Sequence, residues 1–178
     1  VQDCSISPSS ILVITFTKAA ATEMKERFTR LMEQQAQPPG GYGNVSFGTF
    51  HAVFFNILKL SYGFTVANII TEEIRRQYLK ESVDRMKLEI DDENEFLTGI
   101  AGEISLIKNE RVELEHYFSK NCSEEVFRKI YEGYEERKKR ARLIDFDDML
   151  VYTWELLSQR KDILSAWQKK YQYILVDE

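Results

Sequence analysis

Cysteine is scarce in this sequence, with two residues, Cys4 and Cys122, in a chain of 178. Two cysteines cannot build a disulfide scaffold, and neither has a neighbour at metal-ligand spacing, so both read as free thiols of a reducing compartment. Histidine is equally rare at two residues. No second His or Cys lies near His51, which argues against a zinc site, and no Ser or Cys has the partners of a hydrolase triad. No apolar run reaches the roughly 18 residues of a membrane-spanning helix, and no basic-then-apolar signal segment opens the chain. Basic excess is missing too. The 24 Lys and Arg against 29 Asp and Glu leave a net charge of −5. That excludes a strongly basic nucleic-acid glove but not a local basic strip.

What is present is an ordinary globular mixture, 43% hydrophobic and 30% charged, with 11 Phe, 9 Tyr and 2 Trp to fill a core. Such material folds rather than staying disordered. The length suits one domain, or one and a half. Charge is spread unevenly: residues 1–66 hold 5 basic and 4 acidic side chains (+1), residues 67–142 hold 15 and 18 (−3), and residues 143–178 hold 4 and 7 (−3). The N-terminal third is therefore the surface least repulsive to a polyanion.

Residues 11–16, I-L-V-I-T-F, are a short apolar, β-branched run and predict a buried strand of a parallel sheet. Ala21, Met24, Phe28 and Leu31 follow at helical spacing, and this helix is expected to stop before Pro38-Pro39-Gly40-Gly41. Residues 44–48 predict a second strand, and Phe50, Val53, Phe54, Ile57 and Leu58 the apolar stripe of a second helix. Residues 71–142 contain no proline and change to long charged amphipathic helices. Leu79, Val83, Met86 and Ile90 mark one, Leu97, Ile100, Ala101 and Ile104 another, and Phe127, Ile130, Tyr131 and Tyr134 a third, with Ser123 as its N-cap. A helix over 145–158 should carry Phe146, Met149, Leu150, Trp154 and Leu157 on one face. The chain closes on Y-Q-Y-I-L-V-D-E, an apolar strand that stops as if inside a motif.

Three predicted strands end in polar groups: Thr15-Phe16-Thr17, Thr49-Phe50-His51 and Asp177-Glu178. Ligands of open α/β sheets bind beyond the carboxyl ends of the strands, so parallel strands would bring these clusters to one edge. Asp177 could hold the magnesium of a nucleotide and Glu178 could orient or deprotonate a water, although a solvated strand end looks the same. The turn after Thr17 offers helix N–H groups to phosphate, and Phe16 is either a stacking face for a base or a core side chain. His51 near a helix start reads as a structural hydrogen bonder more readily than as a catalyst. The run Arg137–Arg142 either complements a helix C-terminus or touches phosphate. Asp145-Phe146-Asp147-Asp148 reads as a helix cap with acids in its first turn, or less readily as a metal site.

Taken together, these segments resemble the UvrD/Rep/PcrA-type superfamily I DNA helicases. T-F-T-K-A-A-A-T-E-M-K-E-R at 15–27 is similar to motif Ia and G-T-F-H at 48–51 to motif Ib. I-D-F-D-D-M-L at 144–150 resembles the return from the accessory helical subdomain, and Y-Q-Y-I-L-V-D-E at 171–178 the Walker B strand. The Walker A loop G-x-x-x-x-G-K-[ST] is absent and in the family lies upstream of residue 1. After Thr17 the family often has Asn-Lys where this chain has Lys18-Ala19, a slight lean toward the AddA/RecB branch.

The resemblance implies an α/β fold, a partial RecA-like parallel sheet of the P-loop NTPase type with a large all-helical insertion. Residues 1–66 and 143–178 would belong to domain 1A and residues 67–142 to subdomain 1B. It implies a parent that is a cytoplasmic ATP-dependent helicase using ATP and Mg2+, moving on single-stranded DNA and single-strand/double-strand junctions in repair or recombination. Asp177 would bind magnesium and Glu178 act as the catalytic base. Thr15, Phe16, Thr17, Thr49 and His51 would line the DNA path. Alone, this chain is expected to be monomeric, inactive and without a tightly bound cofactor. The alternatives are a helicase–nuclease subunit of the AddA/RecB kind and a non-catalytic DNA-binding or interaction module of helicase shape.

Overall fold

The computed structural model describes residues 6–34 and 45–177. Cys4, the breaker at 38–41 and Glu178 lie outside the described residues. The chain forms two compact units, one of residues 1–57 and 153–178, the other of residues 58–152.

The first unit is built on a three-stranded sheet of order β2-β1-β3, with β1 Ile11–Thr15, β2 Ser46–Thr49 and β3 Tyr173–Val176, and both pairings are parallel. All five residues of β1 are buried, as an apolar β-branched run in a central parallel strand should be. A parallel pair needs a crossover, and α1, Lys18–Gln34, supplies it between β1 and β2. Ala21 and the Phe28 ring, 5.7 Å from Phe47, dock α1, while Leu31 at the end of the expected stripe is exposed. Helix α2, Phe50–Tyr62, starts directly after β2 and stops at Gly63. There φ is +71° and the Gly63 N–H donates to the Lys59 carbonyl at 3.0 Å, a C-terminal turn that glycine adopts without strain.

The C-terminal part of this unit departs from expectation twice. A helix that the periodicity does not mark, α7 Lys161–Lys170, precedes β3, with Trp167 stacked on Tyr171 at 5.8 Å. Strand β3 is an edge strand among the described residues, paired with β1, and its four residues are exposed despite being apolar.

The second unit packs α3 Glu72–Met86, α4 Glu93–Glu110 and α5 Glu124–Ala141 around Leu79, Val83, Leu97, Ile100, Ile104, Phe127, Ile130 and Tyr134. Each helix has an N-cap side chain accepting a backbone N–H: Thr71 from Ile74, Asp92 from Glu95, and Ser123 from Val126, the last as expected. Each ends on a non-glycine residue in the left-handed region, Lys87, Arg111 and Arg142. The first of these corrects the predicted stripe. α3 stops at Met86, and Ile90 packs on the core from the following loop.

At the base of this unit, α6, Phe146–Gln159, begins in a nest of buried charge. The Lys108 ammonium lies 2.8 Å from Asp145, 2.7 Å from Asp148 and 2.7 Å from Glu135. The Lys138 ammonium lies 2.6 Å from both aspartates and 2.9 Å from Glu135. Tyr134 donates to Asp145 at 3.1 Å, and Asp147 accepts from Ser105 and Asn109. The cap reading of Asp145 holds, since it accepts the Asp148 N–H at 2.8 Å. The carboxylates of Glu135, Asp145 and Asp148 converge as metal ligands would, but the ammonium groups of Lys108 and Lys138 already occupy the space between them.

The same contacts overturn a phosphate-binding role for 137–142 as one continuous strip. Lys138 is 1% exposed, Arg137 pairs with Glu81 and covers Tyr78, and Arg140 pairs with Glu136. The inward face of α6 also differs from the expected one. Met149 is buried and Leu150 and Leu157 half-buried as expected, but Phe146 and Trp154 are exposed, and Thr153 and Leu156 are buried in their stead.

Burial opposes the charge on Lys108, but Asp148, Asp145 and Glu135 outweigh it and hold its pKa well above the usual lysine value. Burial likewise opposes ionisation of Asp145, and Lys108 with Lys138 overcomes it, holding the carboxyl below its usual range. The folded pKa of Lys108 exceeds the unfolded one. Its stabilisation is therefore complete below the unfolded value near 10.5 and shrinks only as pH rises beyond that. Urea midpoints of the wild-type chain minus those of Lys108→Met should accordingly differ by a constant amount from about pH 8 to about pH 10 and converge above that. A difference that vanishes below about pH 9 would refute this.

Candidate nucleic-acid interface

The parallel register decides what meets at the carboxyl edge of the sheet. Thr15 of β1 is level with Thr49 of β2, so the next residues of each strand, Phe16 and Phe50, leave the sheet side by side. Their ring centroids are 5.2 Å apart and the planes tilted by 46°. Phe54, one turn along α2, meets Phe50 edge-on at 6.0 Å. Phe16 is 66% exposed, so in this chain it stands out from the sheet with Phe50 as its lateral support.

Both strands hand over to helices at this edge, and both handovers use threonine. Thr17 Oγ1 accepts the Ala20 N–H at 3.1 Å, and Thr49 Oγ1 accepts the Ala52 N–H at 3.2 Å. Each hydroxyl caps a helix as acceptor and keeps its own proton for another partner. The N-termini of α1 and α2 thus flank the aromatic pair, with the positive ends of their dipoles at the same edge.

His51 sits half-buried in the first turn of α2, beside Phe50 in sequence. Thr15 is 4% exposed and belongs to the sheet interior. On the far side of β1, the Asp177 N–H donates to the Ile14 carbonyl at 3.0 Å, which puts the exposed Asp177 just past the end of β3 at the same edge. The expected convergence of the three strand ends is therefore present for Thr15–Thr17, Thr49–His51 and Asp177.

The residue that sequence reasoning undervalues is Phe50. Periodicity assigns it to the apolar stripe of α2, yet it buttresses Phe16. The parallel tripeptides T-F-T and T-F-H, each closing a strand, are the available signal. Beside them an open cleft of about 970 Å3 runs between α1 and β2, lined by Lys18, Thr22, Lys25, Arg30, Phe47 and Thr49 among others. Its three cations share one helix face with Glu26 and Glu33, so the cleft is mixed in charge rather than a cationic groove.

The parallel sheet with strand-to-helix turns at one edge, joined to a large helical insertion, defines a RecA-like α/β protein of the P-loop NTPase class. The model of the UvrD/REP helicase N-terminal domain matches residues 1–178, and the chain belongs to that family. It is 31% identical over its whole length to the ATP-dependent DNA helicase PcrA of Leuconostoc citreum and 32% identical to the putative ATP-dependent DNA helicase YjcD of Bacillus subtilis (strain 168). A Staphylococcus aureus (strain Mu50) PcrA is 29% identical over 97% of the chain. The chain spans about a quarter of the length of these relatives, at 24%, 23% and 23%. No helix among the described residues is long and apolar enough to cross a membrane.

Proposed function

We propose that this chain is the part of an ATP-dependent DNA helicase or translocase that carries one wall of the single-strand path, in a protein working in repair or recombination. The observation that carries the reading is the exposed Phe16 supported by Phe50, set between two helix N-termini. Base stacking on an aromatic is tolerant of sequence, which a translocating motor requires. Phe16 stacks a base, while Thr17, Thr49 and His51 contact phosphate or sugar, and Thr15 holds the strand end in register beneath them. Residues 1–66 and 143–178 act as domain 1A and residues 67–142 as the accessory subdomain 1B. The helicase names of the relatives in three bacteria support the helicase reading.

ATP and Mg2+ belong to the whole protein in this reading. Asp177 fits one magnesium ligand, being an exposed carboxylate at the sheet edge where α/β proteins bind nucleotides. Glu178 follows it as the base that accepts a proton from water. Bound ATP supplies the free energy for stepping. The residues that would cradle its phosphates, G-x-x-x-x-G-K-[ST], are not in the sequence, so this chain offers a metal ligand and a base without the phosphate grip. The 178-residue chain alone should therefore hydrolyse no ATP, with or without DNA. A steady-state phosphate-release assay checks this. DNA-stimulated turnover that disappears in Glu178→Gln would overturn it.

A further inference from the structure

We infer that Lys108 and Lys138 form an electrostatic clasp that closes the base of the helical unit, holding the first turn of α6 so that the unit's incoming and outgoing segments stay paired. The incoming segment is residues 68–70 and the outgoing one residues 142–144. They form a short parallel bridge: Ile144 N–H donates to the Asn68 carbonyl at 2.8 Å, Ile70 N–H to the Ile144 carbonyl at 2.9 Å, and the Asn68 side-chain amide to the Arg142 carbonyl at 2.9 Å. Three hydrogen bonds of this kind are a weak closure when taken alone.

The residue after the bridge is Asp145, and there the charges begin. Asp145 and Asp148 cap each other reciprocally, the Asp145 N–H donating to Asp148 at 2.9 Å and the Asp148 N–H to Asp145 at 2.8 Å. Each ammonium reaches both aspartates, so the opening turn of α6 is gripped from two helices at once. The placement also suits the helix dipoles. Lys108 and Lys138 lie in the last turns of α4 and α5, where cations are favoured, and the aspartates lie at the start of α6, where anions are.

The side chains of the two lysines and two aspartates are 2–6% exposed, so little of their charge is solvated and their stability rests on one another. Removing one lysine leaves Glu135, Asp145 and Asp148 with a single ammonium between them, and because every carboxylate of the cluster shares both lysines the clasp should open as a whole rather than fray. This device goes beyond the helicase reading and requires neither ATP nor DNA. It keeps residues 70–144 a closed body whatever the rest of the protein does.

Hydrogen exchange on the full 178-residue chain tests it, because exchange separates local from global opening. In Lys108→Met, the amides of Ile70, Ile144, Asp145 and Asp148 should exchange at least about tenfold faster relative to those of Ile104 and Ile130 than in wild type. Lys108→Met/Asp148→Asn removes one charge of each sign, and the side-chain amide oxygen introduced by the second substitution can still accept the Asp145 N–H. It should restore most of the protection. Exchange that is unchanged in Lys108→Met, or uniformly faster through α3–α5, would overturn the clasp. If Lys108→Met does not fold, a folded double variant supports the clasp and an unfolded one overturns it.

Discussion

Replacing Phe16 by alanine in the full-length protein is expected to weaken single-stranded DNA binding roughly 5- to 150-fold, since stacking on an aromatic contributes about 1–3 kcal/mol per base and about 1.4 kcal/mol is tenfold. The loss should show little sequence preference. The salt dependence of binding should hardly change, because no phosphate-neutralising charge is removed. Basal ATPase should survive, because Asp177 and Glu178 are untouched, whereas DNA stimulation and unwinding should fall. The exposure of Phe16 makes the stability outcome specific as well. At 66% exposed it has little packing to lose, so the melting temperature should stay within a few degrees of wild type. Truncating a buried Phe costs about 3–5 kcal/mol. A melting-temperature drop on that scale, with unchanged affinity in the folded fraction, would show that Phe16 serves packing and not DNA. Phe50→Ala should give a smaller affinity loss with the same signature, since Phe50 supports the Phe16 ring at 5.2 Å and would act on a stacked base through it.

The second large effect concerns where the helical unit can be cut. By length and apolar stripes alone, residues 67–142 would be expected to fold as a separate helical unit. The contacts of Ile144, Asp145 and Asp148 change that expectation: a segment of residues 67–152 should fold by itself and a segment of residues 67–142 should not. Both contain α3, α4 and α5 with the apolar core. The shorter one lacks Ile144, Asp145 and Asp148, so it loses the bridge to Asn68 and leaves Lys108 and Lys138 with Glu135 as their remaining anion. Removing one partner of a buried pair typically costs about 3–5 kcal/mol. Losing two aspartates would consume most of the roughly 5–15 kcal/mol that stabilises an ordinary domain. Circular dichroism with urea titration distinguishes the cases: cooperative unfolding for 67–152, and a non-cooperative or coil-like profile for 67–142. Equal cooperativity in both would mean that the apolar core suffices. Adding Lys108→Met and Lys138→Met to the shorter segment should recover part of its stability, because the unpaired charges are then gone.

Much of the candidate site is legible in the sequence, for a local reason. A β-branched apolar run ending in T-F-T predicts both a buried strand and the polar turn that follows it, and β1 forms there with Thr17 capping the next helix. The same holds for β2 and Thr49, and for Ser123 at the start of α5. The exposure of Phe16 is not legible, since an aromatic at a strand end is core or surface depending on what the neighbouring strand places beside it. Only the register that sets Thr15 against Thr49 brings Phe50 alongside. Helix ends are hard to read for a similar reason. Lys87, Arg111 and Arg142 adopt the left-handed region without being glycine, so composition leaves no mark at those stops.

Sequence alone determined most element types (α7, Lys161–Lys170, is the exception), the parallel character of the sheet, the helical insertion and the family, because each depends on short-range periodicity and on motifs read within a few residues. Tertiary structure alone decided which charges are buried. Lys108, Lys138, Asp145 and Asp148 look like ordinary surface residues of charged helices. Lys108 is 37 positions from Asp145 and 40 from Asp148, and Lys138 is 7 and 10. Their pairing depends on three helix ends meeting at one point. A linear pattern records the charge at each position, but burial and pairing are properties of the assembled helices. The basic run at 137–142 accordingly divides between a buried anchor at Lys138 and surface ion pairs at Arg137 and Arg140, and the acidic run at 145–148 becomes its counterpart.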